Sequence, residues 1–417
     1  MAPSICIVGG CGHVGLPLGI VLAQAGCPVC LLDTNHERSA QVAAGQMPFL
    51  ERGGDEALAA ALQSGLLTLS SDPAAVGHSD FVVVTIGTPV DEYLDPSVRS
   101  FDRSMGELLD HLRSGQTLIL RSTVFPGVTE RLAAQAERRG LNVLVAYCPE
   151  RIVQGFALEE LGKLPQIVGG VTPEATDRAA ELFGRLGVEV VVTTPVEAEL
   201  AKLFANAHRY VTFALSNQFF LIAEKFGANF VRVREAVTAQ YPRLAGFAGA
   251  GFAGGPCLLK DTMQLGAFNH NSFALGQAAM MVNEGLPRAV VDLVKARRDL
   301  SRSTAAILGM AFKGDSDDPR SSLAYKLRKL LSLECEEVLC TDPYIVDESF
   351  CSLEEALNRA DVVFIGACHE EYRNLQISQP LADVFDFVEN PIQPLLSAHA
   401  VPVDRYRPNT KRDTRAA

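Results

Sequence analysis

The sequence predicts an α/β protein with two parallel-sheet domains joined by a central helical domain. Three observations predict it. Short, continuously apolar runs alternate with helical stretches over the first part of the chain. One long helical pattern follows, and the alternation then resumes on a smaller scale. With 417 residues, 48% of them hydrophobic, the chain can bury more than one core. The expected boundaries place one domain at 1–194, a helical domain at 195–300 and a second, smaller α/β domain at 301–417.

In the first domain the strand signals are "ICIVGG", "PVCLLDT", "FVVVTIGTP", "TLILRST", "LNVLVAYCP", "PQIVGG" and "VEVVVTT". Apolar runs without alternation belong to strands covered on both faces, as in a parallel sheet. The central part carries "EAELAKLFANAHRYVTFALSNQFFLIAEKFG", a helix that Gly227 should close. The last part reads "TAAILGMAF", a helix around "SSLAYKLRKLLS", "EEVLCTDPY", a short helix at "SLEEALNRA", and "DVVFIGA". The final residues, "YRPNTKRDTRAA", are polar and basic, as a frayed tail would be.

The stretch "ICIVGGCGHVG" places Gly10, Gly12 and Gly15 as GxGxxG between a strand and an apolar helix, the mark of a Rossmann-like domain. The first glycine would permit the tight turn, the second would let a pyrophosphate approach the backbone, and the third would let helix and strand pack. His13 and Val14 lie inside the same loop. The next strand ends in Asp33, eighteen residues beyond Gly15, where a carboxylate would accept both ribose hydroxyls and repel a 2′-phosphate. NAD is therefore expected over NADP, with the nearby Arg38 the one residue that speaks for a phosphate.

Other polar groups fall at the carboxyl ends of expected strands, where an open α/β sheet binds its ligands. Thr88 in "GTP" and Thr123 in "STVFPG" are candidates, with helix N-capping an equal explanation for each. Glu150 in "CPER" lies at the same mouth, and a structural salt bridge is its competing explanation. On the long helix, Lys202, Asn206, Arg209, Phe213 and Asn217 fall on one face. That stripe fits either a solvated surface or an anionic, sugar-bearing pocket. Leu203, Ala207, Val211, Ala214 and Leu215 on the opposite side suit a core. The stretch "GFAGGPCLLKDT" then sets Cys257 behind a glycine run, with Lys260 and Asp261 within four residues. A thiol so placed, in a protein that binds a nicotinamide, suggests a covalent acyl intermediate.

Composition narrows the field. The net charge of −12 opposes nucleic acid or anionic lipid as partner. No apolar run reaches the roughly 18 to 20 residues of a membrane span, and no basic leader precedes the first strand. The ten cysteines are dispersed, and the CxxC of Cys27 and Cys30 has no second pair to complete a metal site. They read as reduced thiols in the cytoplasm.

In order along the chain, "GGCGHVG", "GTP", "STVFPG", "CPER", Lys202 with Asn206, "GFAGGPCLLKD" and "GMAFKGDSDDPRSS" resemble the nucleotide-sugar 6-dehydrogenases, the UDP-glucose and UDP-N-acetylhexosamine dehydrogenases. The resemblance covers nearly the whole chain. It implies oxidation of the C6 alcohol of a UDP-sugar by two NAD through a thiohemiacetal and thioester on Cys257. It implies oxyanion stabilisation by Lys202 and Asn206, and a water positioned by Asp261 and Thr123 with Glu150 assisting. It places Lys260 and Arg320 by the cofactor, Lys313 by the nucleotide, and Arg243 and Gly254 against the substrate. It also implies UDP on the third domain and a homodimer through the central helices. Gln154 and Gln218 depart from the pattern of the glucose enzymes, and Pro256 stands where those commonly have a small polar residue and the acetamido-sugar enzymes a histidine, so these positions do not assign the sugar. The resemblance of the "FAGGPC" loop leans the expectation toward an N-acetylhexosamine, with glucose the alternative. Two other classes stay open: a single-step alcohol dehydrogenase, and a nucleotide-sugar-binding protein without turnover.

Overall fold

A computed structural model describes residues 2–88, 98–372, 375 and 383–385. Pro89 of "GTP" and the expected basic tail lie outside the described residues.

The first sheet has eight strands: β1 (Ile5–Val8), β2 (Val29–Leu32), β3 (Leu67–Ser70), β4 (Phe81–Val84), β5 (Thr117–Leu120), β6 (Leu144–Tyr147), β7 (Gln166–Gly170) and β8 (Val190–Thr193), in the order β3-β2-β1-β4-β5-β6-β7-β8. The central strands are apolar throughout because both faces are covered. Ile5, Ile7, Phe81 and Val83 enter one core, while Cys6, Val82 and Val84 enter the other. Each such Val, Ile or Phe side chain, fully buried, stabilises the fold by about 1.5–3 kcal/mol.

The sheet departs from expectation at two places. β3 is not among the strands the sequence predicts; only Leu67 of its four residues is buried, so "LTLS" presents one weak apolar face. β7 and β8 were expected to be parallel to the rest, yet β7 pairs antiparallel with β6. Residues 148–165 remain at the carboxyl edge, Ala146 opposing Gly170, and do not cross back beneath the sheet.

The helical part begins at Pro195. The helix Pro195–Lys225 opens with a capping box between Thr194 and Glu197, and Gly227 follows it with φ of 64°. Three further helices follow: Phe230–Thr238, Leu258–Phe268 and Ala274–Lys295. Among the described residues, no helix is long and apolar enough to cross a membrane. The second sheet holds β9 (Thr304–Leu308), β10 (Glu337–Thr341), β11 (Val362–Ile365) and β12 (Asp383–Phe385), all parallel in the order β10-β9-β11-β12. One of its faces shares a core with the central helices, where Leu286, Val290 and Phe220 meet Ala305, Ile307 and Phe364. The helical part and the second sheet are thereby packed as a unit.

Candidate active site

The turn after β1 shows why each glycine is needed, and it corrects one role. Gly9, not Gly10, takes the left-handed conformation, with φ of 79°. At Gly10 a Cβ would come within 2.7 Å of Leu31 Cβ, and at Gly15 one would come within 2.5 Å of Gly9 O. Both are close-packing positions. A Cβ on Gly12 would meet only Gly9 O, at 3.4 Å, leaving a backbone cradle that a bound phosphate can fill. The helix Gly15–Gln24 begins at Val14 with no side-chain cap, so its first amides point toward that cradle. Thr85, which the sequence did not mark, braces the turn by donating its hydroxyl to Val8 O (2.9 Å) or Gly9 O (3.0 Å).

Asp33 ends β2 beside this turn. Its Oδ2 accepts from Cys11 N at 2.9 Å and its Oδ1 from Asn35 N at 2.9 Å. It thus orders the glycine turn and keeps further lone pairs for a ribose. Arg38 lies half-buried in the following helix, its amide capped by Asn35. His13 packs on Phe49 with ring centroids 4.1 Å apart. Burial pulls its imidazole down to about 4, with the Arg320 cation adding to the effect, so the ring is neutral at neutral pH.

The cysteine loop is moulded against the linker to the second sheet. Gly255 has φ of 100°, and a Cβ there would lie 2.6 Å from the Phe312 ring. At Gly254 a Cβ would be 2.8 Å from Ser321 O, while Gly255 N donates to that same oxygen at 3.1 Å. The two most specific motifs, "GFAGGPC" and "GMAFKGDSDDPRSS", are therefore one packed unit. Asn217 anchors the loop's start: its Nδ2 donates to Gly251 O (3.0 Å) and its Oδ1 accepts from Gly251 N (2.8 Å). That corrects the helical stripe, because Asn217 is fully buried with its amide spent on Gly251 and Asn283, while Arg209 is exposed. On the other side, Leu215 is exposed and not in the core.

Cys257, exposed, stands at the start of the helix Leu258–Phe268. One turn on, Asp261 is 1% exposed and accepts from Asn206 Nδ2 through Oδ2 at 2.5 Å. Its Oδ1 lies 3.2 Å from Lys260 Nζ and accepts no hydrogen bond. Lys260 Nζ also donates to Thr88 O (3.1 Å) and Oγ1 (3.2 Å), joining the cysteine helix to the mouth of β4. The enclosing protein pushes the Cys257 thiol up and the Asp261 carboxylate adds to this, whereas Lys202, Lys260 and Arg320 oppose it. Arg320 is held bidentately by Asp318, at 2.8 and 2.6 Å, and its charge acts on both His13 and Cys257.

The remaining candidates divide. Thr123 is half-buried at the end of β5, at the expected mouth. Glu150 is buried in a salt bridge with Arg121: Oε2 accepts from Nε at 2.9 Å and from Nη2, while Oε1 accepts from Arg151 N (2.7 Å) and Ile152 N (2.9 Å). Both oxygens are occupied, which corrects the expectation of a group free to act on water. Lys313 faces the Phe156 ring at 5.8 Å, and burial pulls its ammonium down against the pull of Asp315 and Glu51. Arg243 is exposed, with its guanidinium over the ring of Tyr241.

The chain matches the UDP-glucose/GDP-mannose dehydrogenase family in all three parts. The matches are the NAD-binding domain at residues 3–187, the central domain at 196–285 and the UDP-binding domain at 306–391. It is 30% identical over 377 residues to a UDP-N-acetyl-D-mannosamine dehydrogenase of Pyrococcus horikoshii, covering 88% of this chain and 90% of that protein. It is 30% identical over 390 residues to an NDP-N-acetyl-D-galactosaminuronic acid dehydrogenase of Ralstonia nicotianae, covering 88% and 91%. A UDP-glucose dehydrogenase from Pyrobaculum islandicum matches in structure with a TM-score of 0.85 at 27% identity, covering 94% of this chain and 95% of that one.

Proposed function

Because the chain belongs to the UDP-glucose/GDP-mannose dehydrogenase family, we propose that it oxidises the C6 alcohol of a UDP-N-acetylhexosamine to the uronate, using two NAD. The cofactor is NAD and the activity that of a UDP-sugar dehydrogenase. The observation that carries the mechanism is Cys257 at a helix start with Lys202, Lys260, Asp261 and Arg320 charged around it. The acetamido sugar rests on the relatives named for N-acetylated hexosamines. A panel of UDP-sugars assayed for NADH tests both points. An N-acetylhexosamine should be the preferred substrate and yield two NADH per sugar. One NADH indicates a simple alcohol dehydrogenase, and none a binding protein.

Gly10, Gly12, Gly15, Val14 and Asp33 would hold the dinucleotide, with Arg38, His13, Thr88 and Arg320 along its path. Bound there, NAD supplies the hydride acceptor for the oxidations of alcohol to aldehyde and of thiohemiacetal to thioester. The Cys257 thiolate adds to the aldehyde carbon, and the carbonyl electron pair moves onto oxygen, where Lys202 and the second N–H of Asn206 donate to it. Water then attacks the thioester carbonyl, Asp261 takes the water's proton, and the Cys257 thiolate departs. Asp261 suits that step because its buried Oδ1 accepts no hydrogen bond and Lys260 Nζ lies 3.2 Å from it. Thr123 orients the water. Glu150 acts through Arg121, holding the "CPER" loop. Gly254 leaves room for the sugar, and Lys313 meets the nucleotide.

The same proposal takes the domains to divide near residues 194 and 300, and the enzyme to work in the cytoplasm as a homodimer. Leu215, Phe219 and Ile222 on the long helix, with Phe226 just past its end, expose an apolar row, and Val233 and Val237 of the following helix are also exposed. Burying that row between two copies would bring Arg243 to the partner's substrate. Sedimentation at micromolar concentration should give twice the 44.8 kDa chain mass, and a monomer that turns over would remove Arg243 from the site.

Asp33→Ala should lower kcat/KM for NAD by about ten- to a hundredfold, the worth of a hydrogen bond to a charged group. The ratio of NADP to NAD use should rise. Equal kcat/KM for the two cofactors in the unaltered enzyme would count against the assignment of Asp33.

A further inference from the structure

We infer that Glu199 is a positioning residue, whose carboxylate sets the loop carrying Thr123 against the helix face that carries Lys202 and Asn206. The inference rests on the dehydrogenase reading of this site.

Glu199 lies in the helix Pro195–Lys225 and is 0% exposed. A buried carboxylate costs several kcal/mol unless strong partners compensate it. Here three donors oppose that cost, while burial still holds the carboxyl above its ordinary value. Its Oε2 accepts from Gly127 N at 2.6 Å, and its Oε1 accepts from Thr129 N at 2.9 Å and Thr129 Oγ1 at 2.6 Å. These donors open the helix Val128–Arg138. That helix starts at Gly127, a residue with φ of 89° and no side chain to supply a cap. A carboxylate on the long helix therefore performs the capping, satisfying end amides and meeting the positive end of the dipole.

Position along the long helix gives this contact its consequence. Glu199, Lys202 and Asn206 are spaced three and four residues apart, so they share one face. At one end of that face Glu199 grips Gly127 and Thr129, and at the other Asn206 grips Asp261 at 2.5 Å. Thr123 lies between β5 and the gripped turn. In that stretch Phe125 stacks on Phe268, the last residue of the helix that begins beside Cys257, with centroids 4.7 Å apart. The loop is thus pinned by Glu199 on one side and by the cysteine helix on the other. Thr123, Lys202, Asn206 and Asp261 keep their mutual distances only while both pins hold.

The long helix does not need Glu199 to stay in place. Its start is secured by the Thr194–Glu197 capping box, and Pro195 packs so closely on Gly169 that a Cβ there would come within 2.9 Å of Pro195 Cα. Loss of Glu199 should therefore release the loop and leave the helix docked.

The test compares the unaltered enzyme with Glu199→Gln and Glu199→Ala, measuring kcat, both KM values, the NADH-to-sugar ratio and Tm. Glu199→Gln can still accept from Thr129 but turns an amide toward Gly127 N–H. The alanine variant should lose about a hundredfold in kcat, the cost of a misplacement of the order of 1 Å, with both KM values within about threefold. The glutamine variant should recover most of that loss. If the alanine protein does not fold, a lowered kcat at unchanged KM in Glu199→Gln supports the role. A kcat within about twofold of the unaltered enzyme in a folded Glu199→Ala overturns it, as does a parallel fall of kcat, affinity and Tm in Glu199→Gln. These outcomes presuppose two NADH per sugar from the unaltered enzyme. Absence of any NADH from it would sink the dehydrogenase reading, and this role in turnover with it.

Discussion

Cys257→Ala should abolish the second oxidation and leave at most a slow conversion of the sugar to its aldehyde. Without sulfur no thiohemiacetal forms, so no oxyanion-bearing carbon exists from which a second hydride can leave. Cys257→Ser should behave differently. A hydroxyl of similar shape can still add, but an alkoxide is a far poorer leaving group than a thiolate, so a sugar ester should accumulate. Mass spectrometry should find it on the peptide that contains position 257. Replacement of the other cysteines should leave turnover intact. Cys6, Cys27, Cys148 and Cys340 are buried and serve as small hydrophobes, and Cys11 lies buried under the glycine turn. Cys257 is the one exposed residue among the ten cysteines, although its sulfur is crowded by the surrounding protein. Two NADH per sugar at near-normal rate from the alanine variant would falsify the thioester route.

Much of this arrangement is legible in the sequence, and the illegible part has physical causes. The parallel strands announce themselves because burial on both faces demands uninterrupted apolar runs, as at "FVVV". β3 escapes because an edge strand buries so little. The reversal at β7 escapes too: a strand's composition carries its burial and not its direction, which the path of residues 148–165 decides. Within the site, Cys257, Lys260 and Asp261 are visible because they are close in the chain, and GxGxxG because each glycine meets a steric demand. Gly9 is hidden because a glycine pair does not say which member takes the positive φ. The partners of polar side chains are less accessible still. Asn217 and Asn206 lie on one helical face, yet Asn217 braces a loop while Asn206 holds Asp261. Glu150 has the two explanations that any carboxylate at a strand end has, until Arg121 is found against it. Glu199 carries no local signal, since its donors lie about seventy positions earlier in the chain.

Lys202→Met and Asp261→Asn should move the ionisation of Cys257 in opposite directions while both lower turnover. Enclosure and the Asp261 carboxylate raise the thiol above its ordinary value, and the Lys202 ammonium works against them. Removing the cation leaves the thiolate less stabilised, so the alkylation rate of Cys257 should begin its rise at higher pH. Removing the carboxylate relieves repulsion and also frees Lys260, now 3.2 Å from Asp261 Oδ1, to favour the thiolate, so the rise should begin at lower pH. Peptide-resolved alkylation with iodoacetamide across pH separates this thiol from the half-buried ones. Turnover should nonetheless fall in both, because each group also acts on the reacting carbon. Loss of one oxyanion donor costs about a hundred- to a thousandfold in kcat, which is the expectation for Lys202→Met. With Asp261→Asn the hydrolytic step loses its base, so the thioester should persist on Cys257 even though the thiol ionises more readily. The combination of an easier thiolate with a trapped acyl-enzyme is what distinguishes a general base from a group that merely tunes the cysteine. Shifts of the same sign in the two variants would mean that the charges around Cys257 are not arranged as this cluster has them.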